Sequence, residues 1–289
     1  MRDFRSVRHT ILSAAALLGA VALPARAQSG PGPVAVGISA AAFDWTGGHA
    51  EQALGAIVQL APTPWLVLGA NPTLLRVSDP RAGDAQAGFG DLPAYAGLTH
   101  QWNAPWQPVL GVAGVVTFPT GDASRGLGRG ESLVSAEGAL ALSPLSVLTV
   151  RGGASRLLRV GGERPTGVAT TALFGDAVLL AGARSNVSIG YALELRGDAP
   201  ATYDPARAIS ATLVHALAGQ TALTLSAART LRGAGPTWSF AIGIGSAFSG
   251  LSPVGATSPA ARSSGGSMRE GPGKLLPVGV PTCGLGGGC

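Results

Sequence analysis

The chain has 289 residues, of which only 12% are charged and 44 are glycine; its formal net charge is +5 and its mean hydropathy is +0.33. This length allows one large domain or two small ones, and so little charge indicates that much apolar surface is buried or faces lipid. Lysine is scarce and the basic residues do not cluster with aromatic ones, as they do in nucleic-acid-binding proteins. No nucleic-acid partner is therefore expected.

Residues 1–27 have the pattern of a cleaved secretory signal. Arginines at positions 2, 5 and 8 precede an apolar run over residues 11–23, and Ala25-Arg26-Ala27 fits a cleavage site. Removing this segment takes away four Arg and one Asp and leaves 16 basic and 14 acidic residues, so the exported protein is only slightly basic. No later stretch has the roughly 18 unbroken apolar residues of a spanning helix.

After the signal, side-chain character alternates with a period of two. In residues 186–196, every second residue from Val187 to Leu195 is apolar, and those between are small or charged. Successive side chains of a strand point to opposite faces, so one face of this strand is apolar. We predict twelve such strands, at residues 33–43, 51–61, 64–76, 89–101, 107–118, 131–143, 146–157, 167–181, 186–196, 207–217, 220–231 and 236–248.

The connections between these strands alternate in length. Those after even-numbered strands are short, such as PL and AG, and those after odd-numbered strands are mostly long, such as VSDPRAGDAQAG. This pattern is typical of a transmembrane barrel with tight periplasmic turns and longer outer loops. An open sheet edge would leave backbone groups without partners in lipid. We therefore predict that residues 28–248 form an all-β fold, a closed antiparallel up-and-down transmembrane β-barrel of about twelve strands.

A soluble β-sandwich is the competing fold, but its outer face would be rich in charge. The non-apolar face of this chain is mostly Gly, Ala, Ser and Thr, which suits a lumen better. Residues 249–289 have no periodicity and are rich in Gly, Pro and Ser, so we predict a disordered tail. The tail holds both cysteines, Cys283 and Cys289, which could pair with each other or remain unpaired.

Two motifs resemble a known family. GFGDLPAYAGLTHQW (residues 88–102) is similar to its G-x-G-D strand start, and GVVTFPTGDASRGLGRGES (residues 114–132) is similar to its P-T-G-D followed by G-L-G-x-G. They resemble the outer-membrane β-barrel family named for the MetA pathway of phenol degradation, whose members are labelled transporters. The resemblance implies a small channel for hydrophobic or aromatic molecules. It implies no enzymatic activity and supplies no catalytic residues.

The alternation assigns polar side chains to the lumen. An arginine on the lipid face at mid-depth costs about 2–4 kcal/mol, so charged residues within strands are expected to face inward. They could select solutes by charge and hydrogen bonding, or they could pair across the lumen and close it; the sequence leaves both open. The predicted lumen-lining residues are Asp91, Tyr95, Thr99, Gln101, Glu137, Arg151, Glu194 and Arg196.

The stretch at residues 117–131 resembles a nucleotide-binding glycine loop, but such a loop opens a helix. A period-two strand follows it, so we interpret it as the third long outer loop, which either gates the pore or rims it. The residues that we expect to shape it are Pro119, Thr120, Gly121, Asp122, Arg125 and Arg129. Arginines of the long loops could contact lipopolysaccharide phosphates or simply be solvated.

Catalytic and metal-binding patterns are absent from the sequence. Only His49, His100 and His215 follow the signal, each isolated, so no metal ion or other cofactor is expected. An outer-membrane lipid-acting enzyme would need a Ser–His pair near an outer loop, whereas His215 is predicted close to a periplasmic turn. We therefore expect a monomeric, non-enzymatic channel in the outer membrane of a Gram-negative bacterium, in contact with its lipid and lipopolysaccharide. The alternative is a structural barrel whose lumen is filled by side chains.

Overall fold

The structure is a computed structural model that describes residues 34–45, 48–63, 65–78, 85–160, 171–182, 184–195, 204–217, 221–233 and 235–246. The predicted signal at residues 1–27 and the predicted tail at residues 249–289 lie outside these ranges. No helix in the described ranges is long and apolar enough to cross a membrane.

The described residues form one antiparallel sheet of fourteen strand segments. The segments are β1 Val34–Asp44, β2 Ala50–Thr63, β3 Leu66–Ala70, β4 Thr73–Ser78, β5 Gln86–Phe89, β6 Leu92–Gln101, β7 Val109–Phe118, β8 Leu133–Leu145, β9 Leu148–Val160, β10 Thr171–Leu180, β11 Ser185–Leu195, β12 Arg207–Ala216, β13 Thr221–Arg232 and β14 Trp238–Ser246. Segments β3 and β4 together make one crossing, that is, one passage of the chain along the barrel wall from end to end, and so do β5 and β6. The sheet therefore has twelve crossings, as predicted.

The sheet closes on itself through β1. Ala41 of β1 lies opposite Ala53 of β2 on one side and opposite Ala241 of β14 on the other. Every other crossing pairs with its neighbours in sequence. Closure removes the free edges that would leave N–H and C=O groups unsatisfied in lipid, so the predicted closed up-and-down barrel is confirmed.

Burial is the reverse of that in a soluble protein. Ile189, on the face predicted to be apolar, is 67% exposed, whereas Glu51 and Thr149 on the opposite face are each 1% exposed. Most of the large apolar residues therefore point out of the barrel, and polar residues point in. An outward apolar face is the surface that a transmembrane barrel presents to acyl chains.

A shift in pairing between the third and fourth crossings interrupts this alternation. Ala70 lies opposite Ala94 and Leu74 lies opposite Phe89, so residues 71–73 face residues 90–93 and the fourth crossing has one extra residue. Such a β-bulge changes which face a side chain occupies. Here Phe89 points outward, 67% exposed, and Asp91 points inward, 1% exposed.

The assignment of faces predicts a contrast between adjacent residues of β11. We expect Ile189→Arg to destabilise the barrel by about 2–4 kcal/mol because it places a charge against lipid. Ser188→Arg is the control, since Ser188 points inward and opposes Thr212 on the same face. Urea unfolding in lipid vesicles measures both, and equal losses would contradict the assignment.

Candidate functional site: the barrel lumen

The structure places the predicted lumen residues on the inward face of their strands. Asp91 and Glu194 are buried, at 1% and 9% exposure. Tyr95, Thr99, Gln101, Glu137 and Arg151 are half-buried, and Arg196 lies outside the described residues. That these side chains line a solute path remains a prediction.

An ion pair crosses from β9 to β10 inside the barrel. Arg151 and Asp176 lie directly opposite each other, and Nε and Nη2 of the arginine donate to Oδ1 and Oδ2 of the aspartate, each at 2.8 Å. Their side chains are 12% and 4% exposed. A bidentate pair of this kind neutralises both charges at one level of the lumen. The sequence placed Arg151 inward but did not identify Asp176, because the partner depends on the register between strands.

Glu194 has a role at the long-loop end of the barrel. Its carboxylate Oε2 accepts a hydrogen bond from the Ala206 amide at 2.9 Å, and its own amide donates to the Ala206 carbonyl at 2.8 Å. These bonds join the end of β11 to the segment that leads into β12. The Glu194 carboxylate therefore helps to fix the backbone segment that leads into β12 against the end of β11.

Large inward side chains lie over glycines on the β8–β10 wall and on the β3–β6 wall. A Cβ at Gly153 would lie 2.5 Å from Cζ of Phe174 and would also overlap the Gly138 carbonyl, and a Cβ at Gly69 would overlap the Tyr95 ring. Phe174 is buried at 7% exposure. Aromatic rings therefore fill space that these glycines leave open inside the barrel.

This packing predicts different tolerance at two adjacent glycines. Gly153→Ala should destabilise the barrel by about 1–3 kcal/mol, since the new methyl group meets backbone as well as the Phe174 ring. A Cβ at Gly152, on the outward face, would meet only the Phe174 carbonyl at an ordinary 3.8 Å, so Gly152→Ala is the matched control. The midpoint of urea unfolding compares them, and an unaffected Gly153→Ala would show that the ring can move aside.

The strands from β12 through β14 and β1 to β2 carry small inward side chains in one continuous row. Thr212, Ser226, Ala241, Ala41 and Ala53 are paired in that order across β12, β13, β14, β1 and β2. Leu75 of β4 lies opposite Ala53 and continues the row. A cavity of about 720 Å³ lies against this row, and the inward-facing residues that line it are Ala41, Ala53, Leu75, Gly88, Thr212, Ser226 and Ala241.

The loop of residues 119–132 contains a 3₁₀ turn, Ala123–Arg125. Asp122 caps this turn by accepting hydrogen bonds from the amide and the hydroxyl of Ser124, and these bonds hold the pKa of Asp122 below its usual value. Burial holds the pKa of the Arg129 guanidinium below its usual value, and the negative charges of Asp91 and Glu131 offset only part of this shift. Pro119, exposed, follows the end of β7.

Loop residues also bond to the β5–β6 segment. The Thr120 hydroxyl donates to the Gly90 carbonyl at 2.9 Å. Gly121 and Arg129 donate their amides to the two carboxylate oxygens of Asp91, at 3.0 and 2.8 Å. Arg125 donates to the side chain of Gln86 at 3.0 Å and to the carbonyl of Ala87 at 3.2 Å. Four of the six predicted loop residues, Thr120, Gly121, Arg125 and Arg129, therefore bond to residues 86–91, which include Asp91 of the predicted lumen group.

Three of the inward-facing residues that could not be identified from the sequence bear on the site. Leu127 is 1% exposed and packs against Leu75 and Val77, and Glu51 is 1% exposed with its carboxylate 2.7 Å from Nε2 of His49. Asp176 is the third. Loops have no period from which the position of Leu127 could be read, although Glu51 falls on the polar phase of its strand.

The described residues give little support to catalysis. Ser185 Oγ lies 2.9 Å from Nδ1 of His215, but the pair sits at the short-turn end of β11 and β12, and the structure shows no carboxylate bonded to His215 within the described ranges. No group of three His, Cys, Asp or Glu in those ranges could hold a metal ion.

No protein-family model and no curated protein matches the sequence. Among solved structures, an outer-membrane channel from Pseudomonas putida F1 superposes with a TM-score of 0.56 at 16% identity, covering 78% of this chain and 99% of that one. The chain has the fold of an outer-membrane channel. The KdgM porin superposes with a TM-score of 0.50 at 9% identity, covering 74% of this chain and 99% of the porin. At these identities the likeness shows the fold alone.

Proposed function

We propose that this protein is a passive channel of the outer membrane for small hydrophobic or aromatic molecules. The observation that carries the proposal is the cavity of about 720 Å³ against the row of small residues, inside a closed barrel. An apolar wall beside Ala41, Ala53 and Ala241 suits an uncharged solute, because a charged one would lose its hydration there without gaining partners. The mechanism is diffusion along this wall.

The contact between the two family-like motifs supports membership of the family named for the MetA pathway of phenol degradation. Asp91 ends the G-F-G-D motif, and its carboxylate binds the amide of Gly121 in the P-T-G-D motif. The motifs are thus two halves of one structural unit, so their joint presence in the sequence has a physical reason.

A structural barrel with a closed lumen is the second candidate function. The Arg151–Asp176 pair and the buried Leu127 both occupy the interior, and both favour a barrel that passes nothing. Solute efflux from liposomes separates the two functions.

The proposed setting is the outer membrane of a Gram-negative bacterium, reached by export and cleavage of residues 1–27. The closed barrel with an apolar outer face supports it, since only such a surface is stable against acyl chains. We propose that the protein is monomeric there, in contact with membrane lipid and lipopolysaccharide.

Solute efflux from liposomes tests the channel. The purified full-length protein should release a small neutral aromatic compound of low membrane permeability faster than protein-free liposomes do, and faster than it releases a charged compound of similar size. Rates equal to those of protein-free liposomes for every solute would contradict the channel and favour the structural barrel.

A further inference from the structure

The loop of residues 119–132 is bound at one acidic side chain. The bulge in the fourth crossing turns Asp91 inward, and each of its carboxylate oxygens accepts one amide of the loop, from Gly121 and from Arg129. These two amides lie on either side of the 3₁₀ turn. A single carboxylate therefore fixes both ends of the segment between them.

The loop backbone fits tightly around this carboxylate. A Cβ at Gly128 would overlap Oδ1 of Asp91 and approach the Gly121 backbone, and a Cβ at Gly121 would overlap the Leu127 carbonyl. Only residues without side chains allow so close an approach. The glycines of this stretch thus serve the fold of the loop around Asp91.

The fold of the loop presses Leu127 against the inner wall of the barrel. Leu127 is 1% exposed and packs with Leu75 and Val77 of β4. Its Cδ1 would lie 2.8 Å from a Cβ at Gly88 of β5. Leu75 and Gly88 both line the cavity beside the small-residue row, and Leu127 is not among its lining residues. Val77 follows Leu75 toward the long connection after β4, so Leu127 lies beside the cavity at its long-connection end.

We propose that Asp91 is a positioning residue that holds this loop inside the mouth of the barrel, and that Leu127 is the residue that narrows the route to the cavity. This inference rests on the proposed channel function and refines it. When the carboxylate is lost, the two amides lose their common acceptor, the loop leaves the wall, and Leu127 no longer narrows the route to the cavity.

Asp91→Asn in the full-length protein tests the positioning role. Asparagine keeps the shape but has one carbonyl oxygen, so its amide group would face one of the two backbone N–H donors. Asp122→Asn is the matched control, because Asp122 is exposed and its side chain bonds to Ser124 within the local turn. Heat-modifiable gel migration establishes that each variant is folded.

Trypsin cleavage and single-channel conductance are compared for protein in lipid bilayers. We expect Asp91→Asn to become sensitive to trypsin at Arg125 and Arg129, as read by mass spectrometry, and to raise single-channel conductance several-fold. Asp122→Asn should match the wild type in both. Unchanged cleavage in a folded Asp91→Asn would overturn the positioning role, and increased cleavage with unchanged conductance would overturn the role of Leu127.

Leu127→Ala provides a second variant that keeps the bonds of Asp91. It should raise conductance without exposing the trypsin sites, and a wild-type conductance would overturn the constriction even if Asp91→Asn does not fold. Cleavage does not depend on transport. A wild type that releases no aromatic solute would therefore refute the proposed channel while leaving the proteolysis result to decide the position of the loop.

Discussion

Asp176→Asn should shift the ion selectivity of the barrel toward anions. The substitution removes the carboxylate that lies 2.8 Å from the Arg151 guanidinium and raises the charge of the lumen by one unit at this level. Reversal potentials in a salt gradient across a planar bilayer measure the shift. The double variant Arg151→Gln with Asp176→Asn restores the net charge and should return the reversal potential toward that of the wild type.

The same single variant should lower the stability of the barrel. Removing one partner of a buried ion pair costs about 3–5 kcal/mol, because the remaining charge stays buried without that compensation. Urea unfolding in vesicles should show a larger loss for Asp176→Asn than for the double variant. A single variant with wild-type selectivity and wild-type stability would show that the pair has no electrostatic role in the lumen.

Proline at either of two adjacent residues of β1 should prevent stable folding. Neighbouring residues of a strand direct their N–H groups to opposite sides, and in a closed barrel both sides of β1 are paired, with β2 and with β14. Ile38→Pro and Ser39→Pro therefore each remove one bond of the ladder and leave a carbonyl unsatisfied, at a cost of several kcal/mol in a membrane.

Heat-modifiable gel migration and urea unfolding measure both variants. In an open sheet with β1 at its edge, one of the two prolines would direct its missing N–H toward the free edge and would be tolerated. A folded, wild-type-like barrel from either variant would thus contradict closure through β1.

The strands could be predicted from the sequence because lipid imposes a strict period of two. Ile189 of β11 and Leu225 of β13 each belong to a series in which alternate residues are mostly apolar, a period that a helix does not produce. Both side chains are exposed on the outward face, as expected. The bulge at residues 90–93 could not be predicted, because it is visible only in the shift of pairing between Ala70–Ala94 and Leu74–Phe89.

The candidate site was predicted in its parts but not in its connections. Arg151 could be placed inward by the cost of a charge in lipid, yet its pairing with Asp176 depends on the register of β9 against β10. Asp91 and Gly121 were assigned to separate groups, because the contact between them spans 30 residues. Leu127 carried no signal, since an apolar residue in a glycine-rich loop has no period.

If solute moves along the wall of small residues, a bulky group attached to that wall should stop transport. In a background with Cys283→Ser and Cys289→Ser, a cysteine is introduced by Ser226→Cys, on the inward row beside the cavity. Efflux of a neutral aromatic solute from liposomes is measured before and after reaction with a bulky water-soluble thiol reagent. Ile189→Cys is the control, because Ile189 is 67% exposed on the outward face and does not line the cavity. Modification at residue 226 should reduce efflux to the protein-free rate and should leave the control unaffected. Unchanged efflux after complete modification at residue 226 would show that solute does not pass along this wall.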